Sequence, residues 1–361
     1  MKNNITLFDP IQVGDLHLPN RMFMAPLTRL RGTVDNLATP IMADYYAQRA
    51  SAGLIISESI AVDPVGVGYH NVPGLWSHRQ IQSWRPATDA VHKAGGHIFA
   101  QLWHAGRASD PSLLNGELPV GPSAIPATGT VSLLRPVRAF VTPRALETSE
   151  VKSIISTFKS AANNAIEAGF DGVELQAANG YLLDQFLQDS SNLRRDEYGG
   201  SIENRARLLL ECTDAAISVY GAGRVAVHLS PRGSSNGVTD SDPEATFGYV
   251  ARELGKRNIA FLAAREKVAV DHHGFSLRRE FGGVYVANEA NDQRGAQELL
   301  ANGKADAVAF GTLFIANPDL PQRFAEGAPL NEADSASFYT QGPIGYTDYP
   351  MLNCVASTYR E

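Results

Sequence analysis

Eight short apolar runs, with longer stretches of helical spacing between them, constrain this 361-residue chain more than any other feature. The runs lie at 21–24 (RMFM), 54–57 (LIIS), 97–102 (HIFAQL), 172–175 (GVEL), 225–229 (VAVHL), 259–262 (IAFL), 284–286 (VYV) and 307–310 (AVAF). They are rich in β-branched and aromatic residues and too short for helices, so they read as strands buried on both faces. Helical spacing of apolar residues marks 40–52, 79–94, 150–168, 202–220, 243–257 and 292–301. Several of these segments close in glycine, which takes the left-handed conformation that ends a helix: SAG at 51–53, KAGG at 93–96, EAG at 167–169 and ANG at 301–303. Such alternation makes a parallel sheet, and eight units close into a (β/α)8 TIM barrel of the α/β class more naturally than they extend an open sheet. A doubly wound sheet is the alternative, weakened by the lack of a GxGxxG turn after the first strand.

Two segments stand outside the repeat. Residues 12–19 (QVGDLHLP) alternate around a Gly-Asp pair and predict an N-terminal β-hairpin that plugs the barrel bottom. Residues 103–147 are too long for an ordinary loop and read as a substrate-side excursion after the third strand. The whole chain, 1–361, is then one barrel domain. A net charge of −7 without long like-sign blocks argues against nucleic acid or an anionic membrane as partner and leaves a small-molecule substrate, with the protein a monomer or homodimer. Only Cys212 and Cys354 occur, so neither a disulfide framework nor a cysteine metal site is supported. With no apolar leader at the start and no run long enough to span a bilayer, the expected compartment is the cytoplasm. His272, His273 and Asp271 make an isolated cluster without supporting ligands, and no metal is expected.

The segments at the strand ends carry a second, more specific pattern: MAPLTRLR (24–31), YYAQRASAGLIISE (45–58), GYHNVPGLW (68–76), QLWHAGR (101–107), TPRALE (142–147), NGYLLDQFL (179–187), DEYGGSIENRARLLLE (196–211), VAFGTLFIANPDLPQRF (308–324) and GYTDYP (345–350). In these motifs the chain resembles the old yellow enzyme family of FMN-dependent ene-reductases, nearest its N-ethylmaleimide and morphinone reductase branch. The resemblance implies FMN across the barrel mouth, reduction by a nicotinamide cofactor, and hydride transfer to an activated alkene. It also implies that Pro26, Leu27 and Thr28 contact the flavin ring, that Gln101 lies on its pyrimidine side and that Trp103 shapes the substrate cavity. By the same resemblance Asn179 grips the substrate carbonyl and Tyr181 donates the proton. Taken singly, each of these residues also has an ordinary reading as turn, packing or cap.

The departures from the family fall on the cofactor. Gln176 stands where the family has histidine, and His228 where it has the arginine that faces the reduced flavin. At the phosphate end the chain reads Val286-Ala287-Asn288-Glu289 and Phe310-Gly311-Thr312, so a second arginine is gone and Glu289 and Asp292 bring carboxylates near. Two lost charged hydrogen bonds amount to roughly 3–6 kcal/mol, or about 10²- to 10⁴-fold in affinity. Arg232, Arg265 and Lys267 are candidate replacements. The expectation from this balance is an eroded FMN site with no cofactor. Tyr181, Asn179, Gln176 and His228 would then serve a flavin-independent acid/base isomerisation or cyclisation of an enone-type metabolite in secondary metabolism, with Asn288, Gly311 and Thr312 lining the pocket. The alternatives are an FMN-dependent NAD(P)H ene-reductase and a non-catalytic binding protein.

Overall fold

The structure, a computed structural model, describes residues 5–266, 273–288 and 292–352. It begins with an antiparallel hairpin, β1 (Ile11–Val13) and β2 (Leu16–Leu18), paired Ile11 to Leu18 and Val13 to Leu16. Eight parallel strands then close on themselves in chain order: β3 (Met22–Met24), β4 (Leu54–Ala61), β5 (Ile98–Trp103), β8 (Gly172–Ala177), β9 (Val225–Leu229), β10 (Phe261–Arg265), β11 (Tyr285–Asn288) and β12 (Ala307–Phe310). Closure is completed by β12 on β3, with Val308 opposite Met22 and Phe310 opposite Met24. The short strands β6 (Val120–Gly121) and β7 (Arg144–Ala145) pair inside the excursion.

Alternation along the strands divides the core in two. Outward residues such as Met22, Ile55, Leu175 and Val308 pack under the helices. Inward residues Phe23, Leu54, Phe99, Phe261 and Val286 fill the barrel together with Ile11, Val13, Leu16 and Leu18 of the hairpin, which is therefore the bottom plug that the sequence suggests. The hairpin turn needs glycine: Gly14 has φ +52°, and a Cβ there would stand 2.0 Å from the carbonyl oxygen of Gly223.

The helices between strands are α1 (Pro40–Ala47), α2 (His78–Lys93), α3 (Thr148–Glu167), α5 (Ile202–Tyr220), α6 (Pro243–Lys256), α7 (Gly274–Phe281) and α8 (Gln293–Ala301), with α4 (Leu182–Leu187), α9 (Thr312–Ala316) and α10 (Leu320–Glu326) as short additions. The additions were not legible as helices. α4 is buried on every side and α9 has only five residues, so neither shows an amphipathic period. α1 stops at Ala47, short of the expected 52, and the buried Arg49 just beyond it donates to the carbonyls of Phe314 (2.8 Å), Ile315 (2.8 Å) and Tyr346 (3.3 Å).

Arg49 works with two other buried arginines. Arg29 donates to the carbonyls of Phe338 (3.0 Å) and Gly345 (2.6 Å), and Arg31 to those of Ser337 (3.0 Å) and Phe338 (2.7 Å). Tyr346 stacks on Tyr45 with centroids 4.0 Å apart, and the Arg31 guanidinium lies 4.6 Å from its ring centre. Residues 337–346 thus form a strap fastened across the barrel mouth. Among the described residues no helix is long and apolar enough to cross a membrane.

Candidate active site

A cavity of about 890 Å³ opens at the C-terminal ends of the barrel strands, the end where this fold keeps its chemistry. Pro26, Leu27 and Thr28, which follow β3, line one side, and Gln176, Asn179 and Tyr181 come from the end of β8 and the turn after it. Asn288, Asp292, Gly311 and Thr312 line the part beyond β11 and β12. Ser132 and Leu133 of the excursion and Phe338 and Tyr339 of the strap supply the remaining walls. Gln101 and Trp103 do not line the cavity: both are fully buried behind it.

A chain of uncharged groups runs beneath the mouth. The Ser59 hydroxyl donates to Gln101 Oε1 at 2.7 Å, and Gln101 Nε2 donates to Glu174 Oε1 at 2.8 Å and to Gln176 Oε1 at 3.3 Å. Burial pushes the Glu174 carboxyl up to about 8 and His228 down to about 3, the latter with help from the Arg265 charge. Their 3.7 Å approach is therefore a contact between a protonated acid and a neutral imidazole. His228 Nε2 also meets Asn288 Nδ2 at 3.2 Å. The sequence places His228 among the groups of an acid/base reaction, where an imidazole would serve as a base near neutral pH. Burial and a nearby cation remove that capacity, and both ring nitrogens face neighbours.

The turn after β8 sets the reacting groups. Asn179 takes φ +60°, its N–H donates to Ser230 Oγ at 2.7 Å, and its carbonyl accepts from Asn236 Nδ2 at 2.9 Å. Gly180 follows at φ +72°, where a Cβ would meet the Ser235 carbonyl oxygen at 2.2 Å. This turn delivers Tyr181, whose hydroxyl lies 2.7 Å from that of Tyr69. Trp103 supports both rings, stacked on Tyr69 (5.7 Å, 8°) and edge-on to Tyr181 (5.2 Å, 87°), so it shapes the cavity through them. Burial holds both phenols above their usual range; the mutual hydrogen bond raises Tyr181 and lowers Tyr69, and Arg265 lowers Tyr181. Tyr69 was not singled out from the sequence, although GYHNVPGLW contained it.

Of the three cations considered as replacements, Arg265 enters the mouth and donates from Nη1 to Asn179 Oδ1 at 2.8 Å. Arg232 instead pairs with Glu266 at 3.0 Å, and Lys267 lies outside the described residues, as do Glu289, Asp271, His272 and Cys354. Asp292 caps α8 by accepting from the Gly295 N–H at 2.7 Å, so its charge faces a helix N-terminus.

The donor set fits FMN. Among the described residues no protein group takes the hydroxyls of Thr28 or Thr312, and both line the cavity. Gly311, Thr312 and Leu313 also line it at the start of α9; the Phe314 N–H is taken by the Gly311 carbonyl at 2.9 Å, and among the described residues those of Thr312 and Leu313 have no acceptor and suit a phosphate. At Gly311 a Cβ would point toward Leu27, 3.4 Å from its Cδ2, and would narrow the cradle.

Comparison with known proteins agrees. Residues 6–331 match the family described as NADH:flavin oxidoreductase / NADH oxidase. The chain is 43% identical over 362 residues to 12-oxophytodienoate reductase 1 of Oryza sativa subsp. japonica, covering 96% of this chain and 93% of that one. Among solved structures it resembles the old yellow enzyme homologue from Zymomonas mobilis (47% identity, TM-score 0.94, 96% of this chain and 100% of that one). It also resembles morphinone reductase in complex with tetrahydroNAD (46%, TM-score 0.93, 97% and 98%).

These matches overturn the expectation of no cofactor: the family is one of flavin oxidoreductases, which points to FMN. The physical error was to count arginines at two sequence positions. The mouth receives a cation from the neighbouring strand, and a phosphate can be held by backbone N–H groups that no side-chain pattern reveals.

Proposed function

The chain belongs to the NADH:flavin oxidoreductase / NADH oxidase family, and from that premise we propose that it is an FMN-dependent ene-reductase that uses NAD(P)H to reduce activated alkenes. The observation that carries this reading is the convergence of the Tyr181 phenol, the Asn179 amide and the Arg265 guanidinium on one cavity floored by Pro26, Leu27 and Thr28.

Pro26, Leu27 and Thr28 would hold the flavin ring, and the start of α9 with the Thr312 hydroxyl would hold the phosphate. FMN, when bound, would supply two-electron hydride chemistry between the nicotinamide cofactor and the alkene. The protein's own part is polarisation and proton delivery. The Asn179 amide donates to the substrate's carbonyl oxygen, drawing electron density away from the β-carbon. The Tyr181 hydroxyl gives its proton to the α-carbon. Tyr69, whose hydroxyl lies 2.7 Å away, returns a proton to Tyr181 and takes the charge onto the more readily ionised of the two rings. Ser132, beside Tyr69 at an exposed position of the excursion, leads that charge toward water. Phe338 and Tyr339 wall the cavity opposite the barrel strands, and Trp103 supports the two phenol rings from behind.

The test is direct. Protein purified with FMN should retain a flavin absorbance after desalting, oxidise NADPH or NADH when cyclohex-2-enone is added, and yield the saturated ketone in equal amount. Failure to retain FMN after reconstitution, or nicotinamide oxidation with no ketone formed, would overturn the reading.

A further inference from the structure

Tyr181 is the N-cap residue of α4, and its side chain makes no cap hydrogen bond. Asp184, the third residue of that helix, reaches back instead, as the acid of a capping box does, but it reaches past the N-cap. Its Oδ2 accepts the Gly180 N–H at 2.8 Å. The same oxygen accepts the Ser230 hydroxyl at a longer 3.5 Å, and Ser230 Oγ in turn accepts the Asn179 N–H at 2.7 Å. Asn179 and Gly180 are both left-handed, at φ +60° and +72°, so their successive N–H groups make an anion-binding nest that the chain fills with its own carboxylate. The carbonyl side of the turn is held separately, Asn179 by Asn236 at 2.9 Å and Gly180 by Gln185 at 2.7 Å.

Asp184 and Ser230 are fully buried and neither lines the cavity, so they reach a substrate only through the turn. Gln188 Nε2 donates to Asp184 Oδ1 at 2.8 Å, and with Gly180 and Ser230 it makes three donors, a set that suits the ionised carboxylate. Burial nevertheless pushes the carboxyl up to about 7 against the pull of those donors. Asp240, which pairs with Arg205 at 3.0 Å, raises it further, and Arg107 is a cation in its field. We infer that Asp184 is the positioning residue of this site: its carboxylate, directly at Gly180 and through Ser230 at Asn179, sets the turn from which the Asn179 amide and the Tyr181 hydroxyl reach the substrate. This rests on the ene-reductase reading of the mouth.

Asp184→Asn keeps the shape and removes the charge, and Ser230→Ala removes only the hydroxyl between Asn179 and the carboxylate. On the FMN-loaded enzyme both should slow reoxidation by cyclohex-2-enone about 10- to 100-fold, the loss that follows a misplacement of about 1 Å. The FMN dissociation constant should stay unchanged, because Pro26, Leu27, Thr28 and α9 lie on other elements. The wild-type reoxidation rate should fall as pH drops through about 7, where Asp184 takes a proton and loosens the turn, and Asp184→Asn should lack that limb. Hydrogen exchange at the Asn179 and Gly180 N–H groups gives a readout independent of turnover and should quicken at least about tenfold in Asp184→Asn. Unchanged reoxidation in Asp184→Asn, a low-pH limb that persists there undiminished, or an equal loss of FMN affinity would overturn the inference. If the wild type reduces no enone, the reaction assigned to the mouth fails, and the exchange rates alone decide whether Asp184 holds the turn.

Discussion

Replacing Tyr69 by phenylalanine keeps the ring that stacks on Trp103 and removes only the hydroxyl that meets Tyr181 at 2.7 Å. If Tyr69 returns the proton, Tyr181 in the variant must carry its phenolate in a buried site with that partner gone. Among the described residues Arg265 then remains to offset the burial that already raises the Tyr181 phenol. A hydrogen bond to a charged group contributes about 1.5–3 kcal/mol, so the alkene half-reaction should slow by about 10- to 100-fold. The assay is stopped-flow absorbance of the two half-reactions. Reduction of the holoenzyme by NADPH involves no proton at Tyr181 and should keep its rate, whereas reoxidation by cyclohex-2-enone should slow and show a larger solvent isotope effect. An unchanged reoxidation rate would refute the relay, and equal slowing of both halves would reduce the hydroxyl to a packing role.

Tyr181→Phe should slow the alkene half-reaction by about 10²- to 10⁴-fold, the usual contribution of a positioned acid, with FMN affinity unchanged; a smaller loss on direct rate measurement would move the proton source elsewhere. Thr312→Glu places a carboxylate at the start of α9 and should raise the FMN dissociation constant at least about tenfold in fluorescence titration, with the apoprotein's thermal midpoint unaltered. An unchanged constant would move the phosphate off α9. Glu174→Gln tests the buried acid. Its folded pKa of about 8 lies above the model-compound value of 4.5, so the stability it contributes is complete below about pH 4.5 and is lost as pH rises through about 8. Glu58 and Asp184, each raised to about 7 by burial, titrate in the same direction, so the wild-type midpoint should fall from pH 5 to 9 and that of the variant should fall less. Parallel curves in differential scanning calorimetry would show that Glu174 titrates normally.

The barrel was legible because each strand shows as an apolar run, and some are announced a second time by the left-handed glycine that ends the helix before them, as at Gly169. Strand ends were less legible: β10 extends to Arg265 and β11 to Asn288, past the apolar runs at 259–262 and 284–286, because the polar residues there face a mouth that lets them stay in the ladder. That difference hid the central feature of the site. Arg265 reads as a loop charge when the strand is ended at 262 and as a mouth residue once the ladder runs on to it. Tyr69 was illegible for another reason, since its partner Tyr181 is over a hundred positions away and nothing local marks the pair. The polar chain from Ser59 through Gln101 to His228 is likewise a product of register, visible only once β4, β5, β8 and β9 are laid side by side.

The arginine-fastened strap has a consequence for the width of the vestibule. Residues 337–346 follow the last barrel strand in the chain, so the strap is laid over a cylinder whose strands all precede it in sequence. Without the strap Arg29 and Arg31 would lose the carbonyls of Phe338, Gly345 and Ser337, and Arg49 that of Tyr346, while Arg49 would keep those of Phe314 and Ile315. The last stretch of the chain therefore decides how wide the vestibule is, because Phe338 and Tyr339 are walls of the cavity that the barrel strands alone do not supply.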